Sequence, residues 1–261
     1  MVRFDDKLQV FILPPYLFEE SRDSREFYTK QFEKGYRSQN ICYDMRKFEF
    51  LRDKSVVIYA GGPGDWADAL RKLDAKVIYS DLTLPIAKYA HRTKDLDVVL
   101  ADVMMLPFNL TEIDYLFSYQ PSITSSPSQT ILMILQGLTT RKGIILVDPL
   151  LWDTDAWEEP LHELYGCSMR KVNISESPIS HYYYEVENSS KCSKLAFLDL
   201  ELIRIVNSLR KSRLKTSSLN KLFRKMGIEQ ERGLESIKRI DRMMGPLVFI
   251  RDYKWIEVEN F

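Results

Sequence analysis

Short Val/Ile/Leu-rich runs alternating with amphipathic stretches predict a doubly wound, mostly parallel α/β sheet over residues 53–190. Two further strand-like runs in succession predict an antiparallel pair closing that sheet. A charge reversal near the C-terminus, followed by three amphipathic stretches, predicts a small second module over residues 194–261.

The elements follow in order. Residues 1–52 form an aromatic-rich N-terminal segment, with helical patches at Ser24–Tyr36 and Ile41–Leu51 acting as a cap. Ser55–Ala60 is a buried-strand run, followed by a Gly/Pro turn and a helix over Trp66–Leu73. Lys76–Ser80, Asp97–Leu100, Ile113–Ser118 and Gly143–Val147 complete five parallel strands. The intervening helices are Leu84–Arg92 and Ser128–Thr139, and right-handed crossovers connect the units. Thr154–Tyr165 is helical, interrupted or restarted at Pro160. Cys167–Ser175 and His181–Glu187 are strands six and seven, so the sheet is Rossmann-like and seven-stranded.

Asn188–Ser193 is small and polar and reads as a linker. Beyond it, Leu198, Leu202, Ile205 and Leu209 share one helical face, as do Leu219, Leu222, Phe223 and Met226, with Gly227 as the stop. A third helix spans Gln230–Met244 and ends at Gly245-Pro246. Leu247–Ile250 and Lys254–Val258 then flank Arg251-Asp252-Tyr253 as a β-hairpin. Three helices and a hairpin are the order of a winged helix-turn-helix.

Charge and composition bound the function classes. Hydrophobic residues at 45% and charged residues at 28% exclude a disordered chain. The formal net charge is zero, but residues 191–261 hold 16 Lys and Arg against 9 Asp and Glu, while residues 1–190 hold 21 against 28. Nucleic acid is therefore expected only at the C-terminal part, if anywhere. Cys42, Cys167 and Cys192 have no C-x-x-C spacing and are expected to be reduced. His91, His162 and His181 are too scattered for an obvious metal cluster. No apolar run approaches the roughly 20 residues that span a bilayer. The expected location is the cytoplasm, with no membrane contact.

The chemistry concentrates in Val56–Leu70. A glycine-rich turn after a strand brings backbone close to a ligand and aims helix N-terminal N–H groups at it. Ala60, Gly61, Gly62 and Gly64 form that turn. Asp81 and Leu82 end the second strand, where a carboxylate can accept both hydroxyls of a ribose. Asp102 and Val103 follow the third strand, where an acid beside an apolar residue suits an adenine amino group and its face.

These segments resemble class I S-adenosylmethionine-dependent methyltransferases. Gly62–Trp66 (GPGDW) is similar to the family's glycine loop, and Tyr79–Asp81 (YSD) to its ribose-binding acid. Ala101–Phe108 (ADVMMLPF) resembles the adenine-binding segment of the ubiquinone-biosynthesis branch. The resemblance covers residues 53–187 and implies S-adenosylmethionine as cofactor. It also departs in two places. Ala60 stands where the family usually has its first glycine. Ile58 stands where an acid commonly meets the methionine amino group.

Ile58 keeps two other readings open. One is a polyamine aminopropyltransferase-like enzyme, disfavoured because Ser118–Ser122 (SYQPS) carries no acid. The other is a non-enzymatic winged-helix regulator, binding DNA or dimerising, on a degenerate methyltransferase fold. Gly62, Gly64 and Ala67 also fit a nicotinamide fingerprint, G-x-G-x-x-A.

Tyr119 is the expected catalytic residue: Tyr119-Gln120-Pro121-Ser122 stands where nucleic-acid amine methyltransferases carry an Asn/Asp/Ser-Pro-Pro-aromatic motif, from which it departs at most positions, and it reads either as lining the reacting centre through Tyr119 and Gln120 or as a loop held by Pro121. Asp148 reads either as a substrate contact or as a turn residue. His181–Tyr184 reads as a strand more readily than as an acid–base cluster. Tyr28, Tyr36 and Tyr43 either cover the cofactor or pack in the core. Lys238, Arg239 and Arg242 on the third helix, with Arg251 and Lys254 at the hairpin, are the expected DNA or RNA contacts. The other role open to that face is packing against the acidic part or dimerisation. The methyl acceptor is left open.

Overall fold

The computed structural model describes residues 3–5, 10–12, 19–39, 41, 43–102, 109–119, 127–148, 157–176, 180–208, 213–244 and 257–259. Five strands form the parallel centre: β3 (Ser55–Tyr59), β4 (Lys76–Asp81), β5 (Val98–Leu100), β6 (Tyr115–Tyr119) and β7 (Gly143–Val147). They lie in the order β5-β4-β3-β6-β7, so the chain reverses its direction of travel between β3 and β6. Strands β8 (Ser168–Asn173) and β9 (Tyr182–Glu187) close this edge as an antiparallel pair, with β9 against β7.

Those seven strands match the sequence-based expectation. Two more precede them. Strands β1 (Arg3–Asp5) and β2 (Val10–Ile12) form a short hairpin whose second strand pairs in parallel with β5. Part of the expected helical cap is therefore sheet edge. Of the rest, α1 spans Glu19–Glu33 and a 3-10 turn spans Met45–Leu51.

Period-2 alternation sorts the central strands onto two cores. Val57, Tyr59, Leu116, Ile144, Leu146, Tyr184 and Val186 face one side. Val56, Ile58, Tyr115, Phe117, Ile145, Val147 and Tyr183 face the other. The second side is covered by the 3-10 turn, α2 (Asp65–Arg71) and α3 (Leu84–Lys94). The first is covered by α4 (Pro127–Thr139) and α5 (Glu158–Tyr165). Pro160 sits in the first turn of α5, where its missing N–H breaks no helical bond, so it marks a start rather than an interruption.

The C-terminal helices are α6 (Ser190–Ser208), α7 (Thr216–Met226) and α8 (Gln230–Met244). Of the expected linker at Asn188–Ser193, Ser190–Ser193 are instead the first turn of α6, and Asn188 and Ser189 lead directly into it. Ser189 Oγ accepts the backbone N–H of Cys192 at 3.2 Å, so the small polar residues cap a helix. Helix α4 is buried all round at Ile131–Leu135 and Leu138, because the sheet covers one side and α6 and α8 pack on it from the other. Leu219, Phe223, Ile237, Ile240 and Met243 join the same core as the sheet. Short β10 (Arg213–Lys215) pairs in parallel with β11 (Glu257–Glu259). The expected hairpin lies outside the described residues except at Glu257 and Val258. Among the described residues, no helix is long and apolar enough to cross a membrane.

Candidate functional site

The site lies over the carboxyl ends of β3, β4, β5 and β6, at the switch point where open α/β sheets bind ligands. Its floor is Ala60–Gly64. The chain turns there through left-handed backbone at Ala60 (φ 50°), Gly62 (φ 57°) and Gly64 (φ 87°). Ala60 is exposed and carries a Cβ in a conformation that favours glycine. Ala60→Gly is therefore expected to raise stability by about 0.5–1 kcal/mol, read as a higher urea midpoint. Gly64 is the reverse case. A Cβ there would lie 2.9 Å from Leu96 Cδ1 and 3.0 Å from the Ala90 Cβ. Gly64→Ala should lower stability by about 1–3 kcal/mol in the same titration.

Asp81 ties this floor to β4. Its Oδ2 accepts the Gly62 N–H at 3.0 Å and its Oδ1 accepts the Thr83 N–H at 2.7 Å. Only 6% of the residue is exposed, and burial pushes its carboxyl pKa up to about 6 despite those N–H donors. The Thr83 side chain and the Leu82 backbone also favour the ionised form, so a ligand's hydroxyls would share this carboxylate with the chain's own donors. Asp102 lies on the neighbouring strand end, where Ala101 N donates to Asp81 O at 3.0 Å. Burial, then the Asp102 charge, raises the Tyr59 phenol well above its ordinary value, which puts that acid next to the end of β3. Leu82 is half-buried beside Asp81, and Val103 lies outside the described residues.

The segment before the first central strand roofs the loop. A Cβ on Gly62 would meet Gln39 Nε2 at 2.8 Å and Tyr36 Oη at 3.2 Å. Gln39 N donates to Asp65 Oδ2 at 2.6 Å, and Asp65 Oδ1 pairs with Lys94 Nζ at 2.8 Å. From below, the Tyr79 hydroxyl donates to Gly62 O, and a side chain on Gly61 would run into the Tyr79 ring. Tyr36 thus covers the loop. Ile58 is 1% exposed and packs in the core with Trp66 and Phe117, so its side chain offers nothing to the crevice.

Tyr119, at the end of β6, lies beside a second group. Its Oη is 3.4 Å from Tyr43 Oη, and the Tyr43 hydroxyl donates to Asp148 Oδ2 at 2.7 Å. The same carboxylate oxygen is 2.6 Å from His181 Nδ1. Sequence reading treated these side chains singly and did not join them. The chain brings them together through the antiparallel β7–β9 pairing and the Tyr43–Ser175 bridge.

The expected nucleic-acid face is partly taken up inside the protein. Arg239 turns inward onto the buried Asp199 of α6, at 2.7 and 2.9 Å, and its side chain is 11% exposed. Arg242 pairs with Glu163 of α5. Lys238 is exposed, and Arg251 and Lys254 lie outside the described residues. Helix α8 carries a full apolar stripe towards α4 and α6, so the residue next to it, Arg239, is drawn to the carboxylate there rather than to solvent.

No family model matches the chain. No curated protein matches it. Solved structures do. The magnesium protoporphyrin IX methyltransferase from Synechocystis PCC 6803 with bound SAM is similar at a TM-score of 0.50 and 13% identity, over 67% of this chain and 100% of that one. Its form with bound SAH gives 0.48 and 13%, over 66% and 100%. The TehB-like SAM-dependent methyltransferase from Corynebacterium glutamicum gives 0.43 and 15%, over 64% and 99%. The first of these establishes the fold: the chain has the Rossmann-like fold of class I methyltransferases.

Proposed function

We propose that this protein is a methyltransferase that takes its methyl group from S-adenosylmethionine, held in the crevice between Asp81, the Ala60–Gly64 loop and Asp102. One observation carries the reading. A buried carboxylate at the end of β4 holds the glycine loop by a backbone N–H, at the strand end where such folds place a ribose-binding acid. The donor set fits the group in two further respects. The loop is free of side chains at Gly61, Gly62 and Gly64. Asp102 supplies an acceptor at the adenine end.

When bound, the sulfonium supplies an electrophilic methyl carbon. The chain's own residues hold and orient. Asp81 takes the ribose hydroxyls, Asp102 the adenine amino group, and Tyr36 and Gln39 exclude water from above the loop. Much of the rate of methyl transfer comes from such placement. Because Ile58 is core, the amino group of the methionyl end must find its partners elsewhere in the crevice. The C-terminal helices serve first as cover for α4, with Arg239 and Arg242 satisfied by Asp199 and Glu163.

Calorimetric titration with S-adenosylmethionine, S-adenosylhomocysteine and decarboxylated S-adenosylmethionine tests this. The expected result is micromolar binding of the first two. Binding of none would sink the reading, and a clear preference for the decarboxylated ligand would replace it with aminopropyl transfer.

A further inference from the structure

The Asp148–His181–Tyr43 cluster is built beyond what holding a cofactor requires. Asp148 follows β7 in left-handed backbone (φ 43°), a conformation uncommon for a residue other than glycine. Its N–H donates to Tyr182 O at 3.0 Å, and its carboxylate is 14% exposed. Oδ2 takes the Tyr43 hydroxyl and faces His181 Nδ1 at 2.6 Å. Burial, with Tyr119 and Asp148 beside it, holds the Tyr43 phenol far above its ordinary pKa, so Tyr43 stays a donor. Nδ1 is the ring nitrogen that faces the carboxylate, so a neutral ring donating there would carry its lone pair on Nε2. The His181 side chain is 25% exposed.

The cluster lies on the crevice that holds Asp81. Strands β4, β3, β6 and β7 are successive neighbours, so Asp148 stands three strand spacings from Asp81, about 14 Å. Tyr36 lies near both ends: burial first, and then neighbours that include Asp81 and Tyr119, raise its phenol above the ordinary value. Tyr43 stacks on the buried Trp66 at 5.5 Å and meets the His181 ring edge-on at 5.1 Å, so the core packing fixes the position of both the phenol and the imidazole.

We propose that His181, oriented by Asp148, is the proton acceptor of this site, and that the molecule methylated is a phenol. The proposal rests on the S-adenosylmethionine reading for the methyl donor, but not for the base. An amine attacks through its own lone pair, and a thiol or a carboxylic acid ionises readily near neutrality. A phenolic hydroxyl is the acceptor that gains most from a base at the moment of transfer. Its O–H proton passes to His181 Nε2 as its oxygen bonds to the methyl carbon. The S–C bond breaks, and its electron pair stays on sulfur and cancels the sulfonium charge. The imidazolium faces the Asp148 carboxylate and then gives its proton to water. Asp148 is a positioning residue, fixing the tautomer and balancing that charge.

Nitrogen-15 NMR of histidine-labelled protein, with and without S-adenosylhomocysteine, reads the arrangement without turnover. His181 should show the Nδ1–H tautomer, and Asp148→Asn should move the ring towards Nε2–H. Phenol, 4-methylphenol and 4-hydroxybenzoate should shift Nε2, and their methyl ethers should not. His181→Asn should lower methyl transfer to those phenols at least about 100-fold while S-adenosylhomocysteine affinity stays within about twofold. An Nε2–H ring insensitive to Asp148→Asn would overturn the proposal. So would phenols that act no differently from their ethers, or His181→Asn transferring as the wild type does. Failure of S-adenosylhomocysteine to bind would instead remove the donor, with the tautomer and phenol measurements still deciding the base.

Discussion

Asp199→Ala is expected to destabilise the protein by about 3–5 kcal/mol, the cost of leaving a buried charge without its partner. Asp199 is 0% exposed and holds three elements at once. Oδ2 accepts the Tyr165 hydroxyl of α5 at 2.7 Å and Arg239 Nε at 2.9 Å; Oδ1 accepts the second Arg239 nitrogen at 2.7 Å and the Ser236 hydroxyl. Without the carboxylate, Arg239 keeps its charge in the interior between α6 and α8. The double replacement Asp199→Leu with Arg239→Met removes both charges and should recover at least half of the loss. Urea unfolding checks both, and it also checks the domain organisation. Because α6 and α8 share the core of the sheet, the wild type should unfold in one transition. An earlier, separate melting of the C-terminal helices would contradict that shared core.

Asp81→Ala should weaken S-adenosylhomocysteine binding by at least about 100-fold, the loss of two charge-assisted hydrogen bonds, with the fold retained. Asp81 also links binding and stability to pH. Its carboxyl pKa is raised from 3.8 to about 6, with burial as the leading cause. The folded state therefore holds a proton that the unfolded chain releases between pH 4 and 6. Stability from this group is present below pH 4 and falls by about 3 kcal/mol as pH climbs to 6, then levels. Asp81→Asn should flatten that fall, which pH-dependent urea midpoints would show. Ribose hydroxyls donate best to the ionised form, so affinity should run the other way. S-adenosylhomocysteine should bind about tenfold more weakly at pH 5 than at pH 7.5, and the difference should vanish in Asp81→Asn.

What the sequence made legible was local. The five central strands were readable because both faces of each are covered, which makes near-continuous Val/Ile/Leu runs. The glycine loop and Asp81 lie within 20 residues of one another, and short-range spacing carried them. Strands β1 and β2 were not readable, since three-residue strands owe their existence to β5, some 90 residues away. Asn188–Ser193 misled because residues that cap a helix are the same residues that make a linker. The closer signal was in α4, whose apolar run leaves no polar face and so requires cover on both sides. The C-terminal charge excess was real, but part of it meets Asp199 and Glu163 inside the protein. Asp148 and His181 are 33 residues apart, and Asp148 and Tyr43 are 105 apart; only the β7–β9 register and the Tyr43–Ser175 bridge join them.

The most direct measurement on the central claim is a crystal structure grown with millimolar S-adenosylhomocysteine. The expected density places the ribose on the Asp81 carboxylate, the adenine towards Asp102, and the sulfur end over the Ala60–Gly64 loop towards Tyr119. Well-ordered crystals with that crevice empty, or with the ligand bound away from Asp81, would contradict it.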